Sequence, residues 1–387
     1  VSVRIGCGLS TGPDPRVAAI EAGQQARAAL GGARTDVALV FACGGHLAAP
    51  EATLEGVHEA LDPPVLAGCG AGGVVGAGRE VERGTAVAVW AASLDGGSAE
   101  AFHLEVVQGE GTAAITGMPD LDDATGIVLL PDPYSFPTDV VLAELGRHAR
   151  GVPVLGGIAS ARTLDGGAAL FRGDRLCGDG AVGIAFSGVE VLPCVSQGAA
   201  PVGPELTVTA ADGHVIRELA GRPALDALRE AIEDLPPTEQ ALVASGLLLG
   251  IVIDGGKPEY EQGDFLVRGV IGADPEAGTL TVGARVQEGT VVRLHARDAA
   301  SADRDLRAAL GLRREALGGA APAGALVFTC NGRGRGMFGV PDHDALALDE
   351  ELSGAPAAGF FAAGEIGPVG GDPFLHGFTA TVAVFPP

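Results

Sequence analysis

At 387 residues the chain exceeds the roughly 250 to 300 residues at which single cores stop growing, so two substantial domains are expected. Apolar residues at 47% exclude a disordered chain, and a formal charge of −24, from 49 acidic against 25 basic residues, disfavours nucleic acid and anionic membrane as partners. Only 4% of residues are aromatic while Gly numbers 62 and Pro 25, which predicts many short elements, tight turns and cores of Val, Ala and Leu.

The first predicted element is a short strand, Val1 to Ile5. Asp14 and Pro15 then stand where a helix N-cap and first turn belong, and an Ala-rich helix runs from 15 to 30 until Gly31-Gly32 stops it. Residues 37–43, VALVFAC, form a continuous apolar run of strand length, which predicts a strand buried on both faces. Pro50 opens a helix with Leu54, Val57 and Leu61 on one stripe, followed by a strand at Val65-Leu66, a glycine cluster (GCGAGGVVGAG) and the strand TAVAVWAASL.

The same order recurs. GIVLL (126–130), a helix led by Pro137, PVLGG (153–157) and GAVGIAF (180–186) repeat it once. ALVFTC (325–330), a helix near 342–352, GFFAAGEIG and TATVAVF repeat it again, with ALVFTC matching ALVFAC (38–43) at five of six positions. Between these lie a hairpin at Asp212-Gly213, a helix with Leu225, Leu228, Ile232 and Leu235 on one face, four closely spaced strands over 246–297, and a helix over 301–317. A weak fourth copy is read at 247–299. The expected fold is an α/β layered sandwich with mixed, largely antiparallel sheets built from repeated strand-helix-strand units, in two domains, 1–200 and 201–387, parted at GAAPVGP (198–204).

Several chemistries drop out. Lys257 is the only lysine and precedes Pro258, so there is no Walker A loop. Gly68 to Gly73 fits G-x-G-x-x-G but leads into turn and strand, with no helix N-terminus to receive a pyrophosphate. Gly8 to Gly12 fits G-x-S-x-G, yet only one strand precedes Ser10, so an ordinary turn is read there. His46, His58, His103, His148, His214, His295 and His343 show no metal-binding spacing, and no metal or cofactor is expected. Six dispersed cysteines without C-x-x-C, no signal-peptide pattern and no apolar stretch of spanning length read as a soluble, cytoplasmic protein with reduced thiols.

The C-terminal segments FTCNGRGRGMFG (328–339), AGFFAAGEIGPVGG (358–371) and FLHGFTATVAVF (374–385) resemble the C-terminal FIST domain. Segments 205–228 and 265–299 and the N-terminal half are similar in kind, so the likeness covers nearly the whole chain. It implies a sensory module that binds a small ligand, with amino acids suspected, and no output domain is read here, so a signal would leave through an unidentified signalling partner or a homo-oligomer interface. The family's N-terminal glycine turn typically ends in Gly-Glu, as Gly364-Glu365 does, whereas this chain has Gly73-Val74.

The candidate ligand residues follow from these segments. Arg333 and Arg335, on the flexible glycine-rich backbone that starts at Asn331 just past a buried strand, offer guanidinium groups, and Asn331 an amide, for a carboxylate or phosphate. Glu365, inside an apolar run, needs a partner if buried: a ligand amine, or one of those arginines. His376 and Thr379 add neutral donors or acceptors. Cys330 is read as a small buried residue at the site; an enzyme using Cys330 or His376 in acyl or group transfer, and a ligand-independent scaffold, are the alternatives.

Overall fold

The computed structural model describes residues 2–109, 113–260 and 262–387; Val1, where the first strand was expected to begin, lies outside them. The first segment runs β1 (Ser2–Ser10), α1 (Pro15–Ala29), β2 (Val37–Cys43), α2 (Pro50–Leu61), β3 (Val65–Ala71), the hairpin of β4 (Val74–Gly76) and β5 (Arg79–Val81), and β6 (Ala86–Asp95). The second runs β7 (Ser98–Gln108), β8 (Ala113–Thr116), β9 (Ala124–Pro131), α3 (Thr138–His148), β10 (Val154–Gly157), the hairpin of β11 (Leu170–Arg172) and β12 (Arg175–Cys177), and β13 (Ala181–Ser187). The chain continues through β14 (Leu192–Gln197), β15 (Ala199–Asp212), β16 (Val215–Leu219), β17 (Arg222–Pro223), α4 (Ala224–Glu233), α5 (Pro237–Ser245), β18 (Leu247–Val252), β19 (Phe265–Asp274), β20 (Thr279–Val282), β21 (Val291–Arg297) and α6 (Ala299–Ala316). A third segment closes it: β22 (Gly324–Cys330), α7 (Arg335–Phe338), α8 (His343–Glu351), β23 (Ala357–Ala362), the hairpin of β24 (Glu365–Val369) and β25 (Asp372–His376), and β26 (Thr379–Phe385).

The fold is α/β, 24% helical and 43% strand, with four mixed or antiparallel sheets. Contacts group the chain into two units. One holds the chain up to Val195, Leu306–Leu375 and Ala380–Pro387; the other holds Ser196–Asp305 with His376–Thr379.

In the first unit the three segments share one strand order. β2 and β3, β9 and β10, and β22 and β23 are parallel pairs, each crossed over by a helix. β6, β13 and β26 lie antiparallel against β2, β9 and β22. Strands such as VALVFAC are buried along their whole length because helices cover one face and a shared core the other. The second strand of each pair carries a glycine opposite its neighbour: Gly68 faces Val40, Gly156 faces Leu129 and Gly359 faces Val327. A Cβ at these positions would lie 2.0, 2.0 and 1.7 Å from the opposing carbonyl oxygen. Glycine is therefore required by close backbone approach.

The hairpins are exchanged in a cycle. The first segment's β4–β5 pairs with β23 of the third, the third's β24–β25 with β10 of the second, and the second's β11–β12 with β3 of the first. Each sheet is thereby completed by a different segment, and the inner faces of all three meet in one core. Phe385 packs against Trp90 at 5.2 Å and Phe186 at 5.6 Å, and Phe360 against Phe41 at 5.0 Å and Phe328 at 5.7 Å, so both rings bridge segments. Such aromatic pairs contribute about 0.5–1.5 kcal/mol each beyond their buried area. The expected cap is present, Asp14 accepting from the Val17 N–H at 2.9 Å. The expected glycine turn at 68–73 is mostly strand, because β3 continues to Ala71.

The second unit is a seven-stranded sheet in the order β15-β21-β18-β19-β20-β16-β17, with a core built on α4 residues such as Leu225 and Leu228. The hairpin at Asp212-Gly213 forms as expected, Asp212 opposite Val215. The segment 247–299 does not show the strand-helix-strand order of the other three: β18 pairs antiparallel with both β19 and β21.

Candidate functional site

The carboxyl ends of β3, β10 and β23 bring three turns together. The Phe361 N–H donates to Gly73 O at 3.0 Å, the Ile158 N–H to Gly364 O at 2.8 Å, and the Ala161 N–H to Gly70 O at 3.4 Å. Ser160 ties all three segments, its hydroxyl accepting the Gly72 N–H at 2.8 Å and donating to the Phe361 carbonyl. Ligands in open α/β sheets bind beyond the carboxyl ends of strands, so this meeting point is where a site is sought.

The chain leaving β22 lies over it. Asn331 donates its N–H to Ala362 O at 2.9 Å, and the Arg333 N–H returns to Cys330 O at 2.8 Å, a tight turn that aims the Arg333 side chain inward. Arg333 is 2% exposed. Its Nε and Nη2 grip Oδ2 and Oδ1 of Asp344, each at 2.8 Å. Thr329 donates to Asp344 Oδ2 at 2.6 Å, and His343 Nδ1 lies 2.9 Å from Oδ1. The Phe338 ring stacks on His343 at 3.4 Å, with the guanidinium 5.1 Å above it. Burial works to raise the Asp344 pKa, but the charge and hydrogen bonds of Arg333 outweigh it and hold the carboxyl well below the usual range.

One nitrogen is left over. Arg333 Nη1 is buried with no hydrogen-bond partner, while Cys330 and Glu365 are close enough that both favour its positive charge. Glu365, 0% exposed, opens β24 opposite Gly157. Cys330 is half-buried, and its Sγ accepts the Gly332 N–H at 3.4 Å.

A second carboxylate reaches the cluster from the exchanged hairpin. Glu80 of β5 caps α8, its Oε1 accepting the N–H groups of Asp344 at 2.7 Å and Ala345 at 3.0 Å, while its own N–H donates to Asp342 Oδ1 at 2.6 Å. Oε2 is buried and has no hydrogen-bond partner. Desolvation first, then the Asp344 charge, push the Glu80 pKa up to about 7 from 4.5, against the two capping bonds. Glu82 accepts the Arg335 N–H at 2.8 Å and lies so close to Gly334 that a Cβ there would come within 2.7 Å of its carboxylate.

Of the expected residues, then, Cys330, Arg333 and Glu365 come together, and Asn331 stands exposed at their edge with its Oδ1 beside Gly72. The reading of Arg333 as a group on a flexible turn is corrected: it is locked in the interior, and the partner gripping it is Asp344. Arg335 is exposed, its backbone on Glu82. His376 and Thr379 are buried but belong to the segment 376–379 that groups with the second unit. Glu80, Asp344 and Thr329 were missed. The available signal was the pair of acids at the start of α8, where helix N-termini favour carboxylates.

Elsewhere, among the described residues, His103, Glu105 and Asp179 bring possible metal-ligand atoms within 4.8 Å, a grouping that sequence spacing did not reveal. Both acids are exposed, and His103 Nε2 already lies 2.8 Å from the Asp179 carbonyl oxygen, so no metal is assigned there. No helix among the described residues is long and apolar enough to cross a membrane.

A family model of the FIST N domain matches residues 36–222, and one of the FIST C domain matches residues 224–368. An uncharacterized protein of Mycobacterium tuberculosis (strain CDC 1551 / Oshkosh) is 46% identical over 384 residues, covering 99% of this chain and 100% of that protein. An uncharacterized protein of Mycobacterium bovis is 45% identical over 384 residues, covering 99% of each.

Proposed function

The chain belongs to the FIST family, whose domains are associated with sensory signal transduction, and on that footing we propose that it is a cytoplasmic sensor that binds a small polar ligand. The observation that carries the reading is the Arg333 Nη1 donor, buried beside Cys330 and Glu365 with no hydrogen-bond partner of its own. A buried donor of this kind favours an acceptor, and the nearby Glu365 carboxylate favours a cationic group. An amino acid offers both. Asn331 lies at the edge of this group, and His376 and Thr379 remain further ligand candidates. Binding acts on signalling only by favouring one of two states of the protein, which a partner protein or a second copy of the chain then reads. We take the three segments of the first unit to be copies of one ancestral unit, of which the third brings Arg333, Glu365 and Cys330 together.

Calorimetry and thermal shift against amino acids, nucleotides and sugars test the reading. A ligand from the panel binds wild type and binds Glu365→Gln at least tenfold more weakly; silence across all three classes would overturn it. A second reading, acyl or group transfer at Cys330, draws on the partial exposure of that thiol, its Gly332 N–H contact and the nearby guanidinium. Iodoacetamide separates the two: fast, selective alkylation of Cys330 favours the nucleophile, and an inert thiol favours the sensor.

A further inference from the structure

The exchanged hairpin β4–β5 is held on the third segment by its pairing with β23, by the burial of Val74 and Val75 in cores shared with that segment and, along β5 and just past it, by the bonds that Glu80 and Glu82 make. Around Glu80 the charges are unevenly matched. The start of α8 contributes Asp342, His343 and Asp344; the hairpin contributes Glu82 and the exposed Arg79; the connection before α8 contributes Arg333 and Arg335. Arg333 is committed to Asp344 by two hydrogen bonds, Arg335 is exposed, and His343 lies against Asp344. Among the described residues, none of these cations is hydrogen-bonded to the Glu80 carboxylate, whose Oε2 is buried and has no hydrogen-bond partner. A buried carboxylate in that position is stabilised by taking up a proton.

We propose that Glu80 is a proton-operated latch: with a proton on Oε2 it closes the β4–β5 hairpin onto the start of α8, and without one it repels Asp344 and lets the two part. The neutral carboxyl still accepts both capping N–H bonds through Oε1, so the cap survives protonation while the repulsion disappears. Because the Arg333–Asp344 pair begins at the same turn of α8, opening the latch loosens the cluster as well. Proton concentration thereby becomes an input to the first unit in its own right, independent of any small ligand.

Amide hydrogen exchange at Asp344 and Ala345, measured by NMR on the full chain without ligand, tests the latch. The closed form binds the Glu80 proton more tightly than the open form, so its stability is complete below pH 4.5 and is lost as pH rises to about 7. After correction for intrinsic exchange, the opening constant of wild type climbs roughly tenfold per pH unit across this window and then levels. Glu80→Gln keeps a capping oxygen but cannot ionise, and its opening constant stays flat; Glu82→Gln keeps the wild-type slope. Parallel profiles for wild type and Glu80→Gln would sink the proposal. Should Glu80→Gln fail to fold, the side-chain carboxyl carbon of Glu80 in wild type decides: titration near 7 supports the latch, and titration at or below 4.5 overturns it.

Discussion

Arg333 and Asp344 face each other across the turn between β22 and α8, joined by two 2.8 Å hydrogen bonds and both almost fully buried. The pair fixes where α8 begins relative to the strand that precedes it.

Breaking one side of this pair costs more than removing both. Asp344→Asn leaves a buried guanidinium without its counter-charge, and about 3–5 kcal/mol is expected to be lost. Replacing both, as in Arg333→Met with Asp344→Leu, recovers a large part of that loss because neither charge is then stranded. Urea unfolding followed by Trp90 fluorescence measures both, since Trp90 is the chain's one tryptophan and sits in the core of the first unit. Equal destabilisation by the single and double variants would show that the pair contributes packing and little else.

Gly68, Gly156 and Gly359 occupy one position in the three parallel pairs, and each has a carbonyl oxygen 2.0 Å or less from where a Cβ would stand. Alanine at any of them has to push the paired strands apart. The expected loss lies at or above the top of the roughly 1–3 kcal/mol usual for overpacking. Gly336→Ala is the control: nothing lies within 4 Å of its Cβ position, and its unfolding midpoint in urea stays within error of wild type.

Phe385 joins β26 to Trp90 of the first segment and Phe186 of the second. Phe385→Ala is expected to cost about 3–5 kcal/mol, the range for deleting a buried aromatic ring. Since the three segments share this core, Trp90 fluorescence and hydrogen exchange in β9 and β13 should report the same loss. A loss confined to the third segment would mean that the segments fold separately.

The strands were legible where burial on both faces leaves a continuous apolar run, as in VALVFAC and ALVFTC, and the helix cap at Asp14 and the hairpin at Asp212-Gly213 were legible from local turn chemistry. The hairpin exchange was not. Nothing near Val74 to Val81 names β23 as a partner, because pairing over more than 260 residues leaves no local pattern. The same distance hid Glu80, which reads as one surface acid among many until the fold sets it on α8. Arg333 was found as a residue of interest for its family-like setting, but its glycine neighbours suggested mobility where the structure has a buried clamp.

The pH dependence of the chain combines opposed slopes, among them those of Glu80 and His295. Glu80, raised from 4.5 to about 7, contributes stability below 4.5 that is lost as pH rises to 7. His295 in the second unit is held down from 6.5 to about 4, chiefly by burial, so the fold excludes a proton that the unfolded chain binds. Stability from His295 is therefore lost as pH falls from 6.5 to 4. Each of these displacements corresponds to about 3 kcal/mol. A probe that averages both units, such as far-UV circular dichroism, is expected to show a shallow profile between pH 5 and 6.5. Trp90 fluorescence follows the first unit alone, where the falling contribution of Glu80 meets a rising one from His46, whose pKa burial lowers, so the wild-type profile should fall relative to that of Glu80→Gln over that interval. In Glu80→Gln the falling contribution to the fluorescence profile disappears and the rising one of His46 is left, while that of His295 remains in the circular dichroism. Coincident profiles from the two probes in wild type would mean that the units unfold as one, and the slopes would then have to be separated with His295→Phe.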